Sequence, residues 1–241
     1  MWALSVLPSC KKIAGALLLL CMGAGHAEPL RIAAAANFAP VLNQLAAAYQ
    51  QQCAVPWQIS SASSGQLHAQ IMNGAPFSVF LSADEKAVDE LPVNLKKDTR
   101  IYARGRLALW FKGQVANNVA WQKGEVRLVM ANPVTAPYGH AAQVYLQQLA
   151  VDDGAYVRAN NIQQAYLLVD QGTLAGGFVA LSALLMNQRP ASEYIILQDV
   201  PLLNQKAALL QDNAASRCFW NWLSAAQTQR QIEQAGYGIA P

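Results

Sequence analysis

Charge is scarce in this chain. Only 13% of its 241 residues are Asp, Glu, Lys or Arg, and the formal net charge is +3. A nucleic-acid binder needs a basic surface and a disordered interaction tail needs runs of like charge, so both classes are excluded. Three histidines and four cysteines, with no close cysteine pair, leave no zinc-ligand spacing. No G-x-S-x-G elbow, phosphate loop, dinucleotide fingerprint or H-E-x-x-H occurs, which removes the commonest enzyme signatures. Ser64 and His68 stand four apart on one helical stretch, but no orienting acid accompanies them. There is no internal repeat and no low-complexity linker. The one long apolar run, Ile13 to Met22, is too short to cross a membrane.

That run follows Lys11 and Lys12 and leads into GAGHA, a small-residue ending suited to signal peptidase. Residues 1–27 therefore read as a secretory signal peptide cleaved after Ala27, with export to the periplasm. A lipid anchor at Cys21 is disfavoured by Leu20, where a small residue is required. Removal of the leader leaves 214 residues and a formal charge of +1, enough for one large domain or two small ones. Cys53 and Cys218 remain as a candidate disulfide in an oxidising compartment, with two separate buried thiols as the other reading.

Strand-like and helix-like segments alternate along the rest, the pattern of an α/β fold with largely parallel strands. LRIAAAA (30–36) reads as a strand. A helix follows, with Phe38, Val41, Leu42, Leu45 and Tyr49 on one stripe and Pro40 in its first turn. VPWQISS (55–61) is a second strand, and Leu67, Ile71 and Met72 mark the next helix, closed by Asn73-Gly74. FSVFL (77–81) is a third strand, with a helix starting near Asp84. RLALWF (106–111), RLVMA (127–131), AGGFVAL (175–181), YIIL (194–197) and KAALL (206–210) read as further strands. Between them lie a helix with Ala141, Val144, Tyr145 and Leu149 inward and one capped by Asn160-Asn161. A last helix runs through Phe219, Trp222 and Leu223.

Two of these units carry the chemistry. In AAAANFAPVLNQLAAAYQ and SSASSGQLHAQIMNGAP an apolar strand runs straight into small polar residues and then a helix. Such turns aim backbone N–H groups and the positive end of a helix dipole at one point. Parallel strands place their carboxyl ends on one edge, so two adjacent turns predict an anion site without Arg or Lys. Asn37 is there either as a helix cap or as an amide donor to a ligand; Ser63 and Ser64 are caps or donors likewise. Gly65 allows close backbone approach. Tyr138, in the turn before a later helix, offers a phenol hydrogen, or packs as a loop tyrosine. Ile162 can contribute only its backbone N–H, or is a plain core residue.

With AAAANF, SSASSGQLHAQIMNGAPFSVFLSADEKAVDEL, ANPVTAPYG and the terminal QAGYGI, the chain resembles the periplasmic molybdate-binding proteins of ABC importers. The resemblance spans the mature chain and weakens between Asp98 and Gly124. It implies a type II periplasmic-binding-protein fold of two lobes, each a mostly parallel sheet flanked by helices. Lobe 1 would be residues 28–101 with 206–241, and lobe 2 residues 102–205. It implies a molybdate or tungstate oxyanion in the cleft, held by neutral donors with no direct protein–metal ligand and no other cofactor. The ligand positions fall on Asn37 with the Ala36 backbone, on Ser64, on Tyr138 and on the backbone of Ile162. Two departures stand out: Asn37 occupies a place where many members have Ser, and Ala180 one where many have Tyr. The implied partner is the membrane permease of an importer, served by a monomer. Receptors for another oxyanion such as sulfate, and a secreted α/β enzyme, are the alternatives. A fully ionised ion offers only acceptors, which suits a site made only of donors; hydrogen phosphate, with its proton, lacks the acceptor it needs.

Overall fold

A computed structural model describes residues 28–116, 120–123, 125–151 and 156–238; the expected leader lies outside them. The elements run β1 (Leu30–Ala35), α1 (Ala39–Cys53), β2 (Trp57–Ala62), α2 (Ser64–Met72), β3 (Val79–Leu81), α3 (Lys86–Asp89) and β4 (Asp98–Gly105). They continue β5 (Leu107–Trp110), β6 (Leu128–Ala131), α4 (Pro137–Gln148), β7 (Val157–Ala159), α5 (Ile162–Asp170), β8 (Gly176–Ala180) and α6 (Leu181–Met186). The chain closes with β9 (Tyr194–Ile196), β10 (Leu203–Leu209), α7 (Ala214–Leu223) and α8 (Ala226–Gln234). Among the described residues no helix is long and apolar enough to cross a membrane.

Two five-stranded sheets result, in the orders β2-β1-β3-β10-β4 and β7-β6-β8-β5-β9. In each, four strands point one way and one is reversed: β10 is antiparallel to β3 and β4, and β5 is antiparallel to β8 and β9. The sheets are thus mixed, with a parallel three-strand half that sends its carboxyl ends to one edge. The chain leaves the first sheet through Arg106, between β4 and β5, and returns between β9 and β10. The boundaries expected from sequence, after Ile101 and before Lys206, fall inside β4 and β10. The tail pairs back on β4, with Gly238 N–H donating to Arg104 O at 2.8 Å, which brings Tyr237 to the crossing.

Local chemistry explains the elements that frame the site. Pro40 lies in the first turn of α1, where its missing N–H has no helical partner to lose. Phe38, Val41, Leu42, Leu45 and Tyr49 face inward from that segment, and Tyr49 stacks on Trp57 at 4.3 Å between centroids. Ser63 and Gln66 form a capping box at the start of α2, and Gly74 ends it with φ +82°. Asn161 caps α5, its Oδ1 accepting from Gln164 N–H at 2.9 Å. Cys53 at the end of α1 is bonded to Cys218 on α7, with Cα atoms 5.8 Å apart.

Three expectations are corrected. The inward face of α4 carries Tyr138, Ala141, Ala142 and Leu146; Val144 and Tyr145 are half-buried, and Leu149, read as inward, is 40% exposed. Leu149 is the residue that caps the end of α4, past its last packed turn, and is left exposed there. Met72 is 48% exposed because α2 ends there. The helix near Asp84 is a single turn, with Asp84 Oδ1 accepting from Ala87 N–H at 3.2 Å.

Candidate oxyanion site

Four helix beginnings meet at one small cavity. Its walls are Ala35 to Asn37 ahead of α1, Ser63 and Ser64 at α2, Ala136 to Tyr138 at α4, and Asn161 with Ile162 at α5; Ala83 closes it. All five residues singled out from sequence, Ala36, Asn37, Ser64, Tyr138 and Ile162, are brought together there. The first two turns belong to the first sheet and the other two to the second, so the cavity lies on the seam. The space open to the centre of a water-sized sphere is about 10 Å³, room for one small particle. A larger groove of about 300 Å³ on the same measure lies beside it, with His68, Asp84, Lys86, Glu90 and His140 in its wall. That groove is mixed in charge; the helix-start donors converge on the small cavity.

No side chain in the small cavity's wall is charged. Favourable charge comes instead from backbone: first-turn N–H groups of a helix have no partner inside it, and the dipole adds positive potential. Ser64 and Ile162 are the first residues of α2 and α5, and Tyr138 is the second of α4. Asn37, Ser64, Tyr138 and Ile162 are each less than 5% exposed, so water is kept from any ion they hold. Ser64 Oγ accepts from Ala83 N–H at 2.9 Å, which turns its own hydrogen elsewhere. His68 Nδ1 pairs with the carbonyl of Ala87 at 2.8 Å.

Behind the cavity is a buried polar cluster that sequence reasoning did not assemble. Asn37 Nδ2 donates to Tyr237 Oη at 3.0 Å, Gln205 Oε1 at 3.1 Å and Tyr138 Oη at 3.4 Å. The amide nitrogen of Asn37 is therefore engaged by protein, and its Oδ1 is buried without a partner. Tyr237 Oη donates to the carbonyl of Asn37 at 2.9 Å and accepts from Ser182 Oγ at 3.2 Å. Gln205 Nε2 donates to Tyr138 Oη at 3.2 Å, and Tyr102 Oη donates to Gln205 Oε1 at 2.8 Å. Burial, with a contribution from Tyr237, holds the Tyr138 phenol well above its ordinary pKa; hydrogen bonds from Gln205, Asn37 and the Arg106 backbone act the other way. Tyr138 thus keeps its hydrogen through the physiological range. The signal for this cluster was the tyrosine of the terminal QAGYGI; Gln205, between Asn204 and Lys206 in LNQKAAL, gave none.

Comparison with known proteins agrees with this geometry. Residues 30–238 match the family described as bacterial extracellular solute-binding protein. The molybdate-binding protein ModA of Azotobacter vinelandii is 32% identical over 93% of this chain and 95% of its own. That of Rhodobacter capsulatus is 32% identical over 85% and 86%. The solved Azotobacter vinelandii periplasmic molybdate-binding protein superposes with a TM-score of 0.81 at 31% identity, covering 88% of this chain and all of that one. A neutral, donor-lined cavity on the seam of two mixed sheets, and these matches over most of its length, place the chain among the bacterial extracellular solute-binding proteins, which bind solutes rather than transform them.

Proposed function

We propose that this protein captures molybdate in the seam cavity and delivers it to the membrane permease of an ABC importer. The observation that carries the reading is the convergence of four helix beginnings on a small cavity with no charged side chain in its wall. Every group offered there by helix backbone is a donor, and an oxyanion with no proton of its own presents only acceptors. Asn37, Ser64, Tyr138 and Ile162 are the ligand set in this reading; the Ala36 N–H, expected from sequence to join them, is instead given to the carbonyl of Ala62 at 2.9 Å. For Asn37 the donor that remains is its backbone N–H, since its side-chain nitrogen is engaged behind the cavity. The names of the Azotobacter vinelandii and Rhodobacter capsulatus relatives support molybdate as the ion.

Tungstate has the same charge and shape and nearly the same size, so it enters the same cavity in this proposal. Sulfate matches in charge but is smaller, and its oxygens fall short of donors spaced for the larger ion. The two sheets with their helices act as two lobes that part to admit the ion, about the crossings at Arg106 and between Ile196 and Leu203. The protein works as a periplasmic monomer after loss of residues 1–27. Calorimetric titration of the mature chain with molybdate, tungstate, sulfate and phosphate in parallel tests this. Tight 1:1 binding of the first two and weak binding of the others is expected. Preference for sulfate or phosphate overturns the choice of ion.

A further inference from the structure

We infer that Gln205 is a positioning residue for the bound oxyanion, fixing the direction in which Tyr138 presents its hydroxyl hydrogen. The inference rests on the oxyanion reading above. Gln205 is 0% exposed and lies outside the cavity wall, on β10 beside Ala207, Ala208 and Leu209. An amide in such a place is unfavourable unless both ends are paired. Both are: Oε1 accepts from Tyr102 and Asn37, and Nε2 donates to Tyr138. The register of β10 against β4 shifts between Gln205 and Lys206, a local irregularity where the side chain meets the seam.

The direction of the hydrogen follows from counting lone pairs. A phenol oxygen has two and carries one hydrogen. At Tyr138 Gln205 Nε2 at 3.2 Å, Asn37 Nδ2 at 3.4 Å and the Arg106 backbone all donate to the oxygen, so no lone pair is left over. The bond left for Tyr138 to make is a donation, and the cavity is the space its side chain opens on. Tyr102, Gln205 and Tyr138 then form a chain of donors, each polarising the next and ending at the ion. The opposite strand leaves room for it: a Cβ at Gly105 would come within 2.3 Å of Tyr138 Oη and 2.7 Å of Gln205 Nε2.

A double-mutant cycle read by molybdate titration separates positioning from mere packing. Gln205→Met keeps the length of the side chain and removes both polar ends. It should weaken binding roughly tenfold in the parent and less than about threefold in Tyr138→Phe, where there is no hydrogen to direct. Equal losses in both backgrounds overturn the inference. Gln205→Glu gives a second readout that does not depend on Gln205→Met folding. Its carboxylate accepts the Tyr138 hydrogen, and protonation turns it back into a donor. Its affinity should therefore rise as pH falls from about 8 to about 6 while the parent stays flat. A flat profile in folded Gln205→Glu overturns the inference as well. A parent that takes up no molybdate overturns the oxyanion reading itself; a binding parent with an additive cycle overturns only the part given to Gln205.

Discussion

Gly65 donates its backbone N–H to the carbonyl oxygen of Thr135 at 3.0 Å, joining the start of α2 in the first half of the molecule to the turn before α4 in the second. A Cβ at Gly65 would stand 3.0 Å from that oxygen and 3.2 Å from Thr135 Cα. Gly65→Ala should therefore hold the seam open by a few tenths of an ångström. Alanine also favours the helix by up to about 1 kcal/mol over glycine. The expected outcome is a variant of equal or higher melting temperature whose molybdate affinity is roughly three- to tenfold weaker, about 1 kcal/mol. A loss of stability with affinity unchanged would show that the contact serves folding alone.

Ser64→Ala and Asn37→Ala should each weaken molybdate binding by roughly 1–3 kcal/mol, the effect of leaving a charged oxygen short of a donor or of disordering its neighbours. Stability should drop by about 1 kcal/mol in Ser64→Ala, because Ala83 N–H loses its acceptor. Asn37→Ala acts partly through the tyrosines, since its Nδ2 reaches both Tyr138 and Tyr237. Titration and chemical denaturation of the same samples check both; wild-type affinity would remove the Ser64 hydroxyl from the site and show that the Asn37 side chain does not order it.

Tyr138→Phe deletes one donor and keeps the ring, and should lose roughly 1–2 kcal/mol of affinity. The pH dependence has a definite sign. Burial disfavours the phenolate and raises the folded pKa of Tyr138, so the hydrogen is present below that value and is lost only above the ordinary tyrosine range. Affinity of the parent should therefore be level between about pH 7 and about pH 9. A decline inside that window would point to a different titrating donor.

Cys53→Ser with Cys218→Ser should lower stability by about 2–4 kcal/mol, because the bridge closes a long loop between residues 165 apart. Binding should be unaffected. The bridge sits at the far end of α1 from the cavity, roughly 20 Å along a 15-residue helix. Paired denaturation and titration check this, and a change in affinity would mean that α1 shifts when the bridge is gone.

The site was more legible in the sequence than the hinge behind it. Asn37, Ser64 and Tyr138 each follow a strand and stand at the start of a helix, a local pattern that one sequence displays; β7, the short strand before Ile162, was not read, and Ile162 entered through the family resemblance. The inward stripe of α1 was legible because its start is marked by Pro40, and the start of α5 because Asn161 caps it. The phase of α4 was not, because its apolar residues are dense enough to suit two faces. β4 escaped notice because DTRIYARG does not alternate, with a polar run and then Ile101, Tyr102 and Ala103 together, at the molecule's crossing, where burial comes from distant segments. Gln205, Tyr102 and Tyr237 meet only through pairing of β10, β4 and the tail, contacts more than 100 residues apart along the chain.

The tightness of the cavity sets a clock. With Asn37, Ser64, Tyr138 and Ile162 all nearly inaccessible, an ion held among them as proposed would leave by the parting of the halves that Gly65 and Thr135 join. Its departure can be no faster than the parting of the two halves, however weak its own hydrogen bonds. Ions of different affinity that fit inside therefore share one upper limit on release, and a partner that prises the halves apart governs when the cargo leaves.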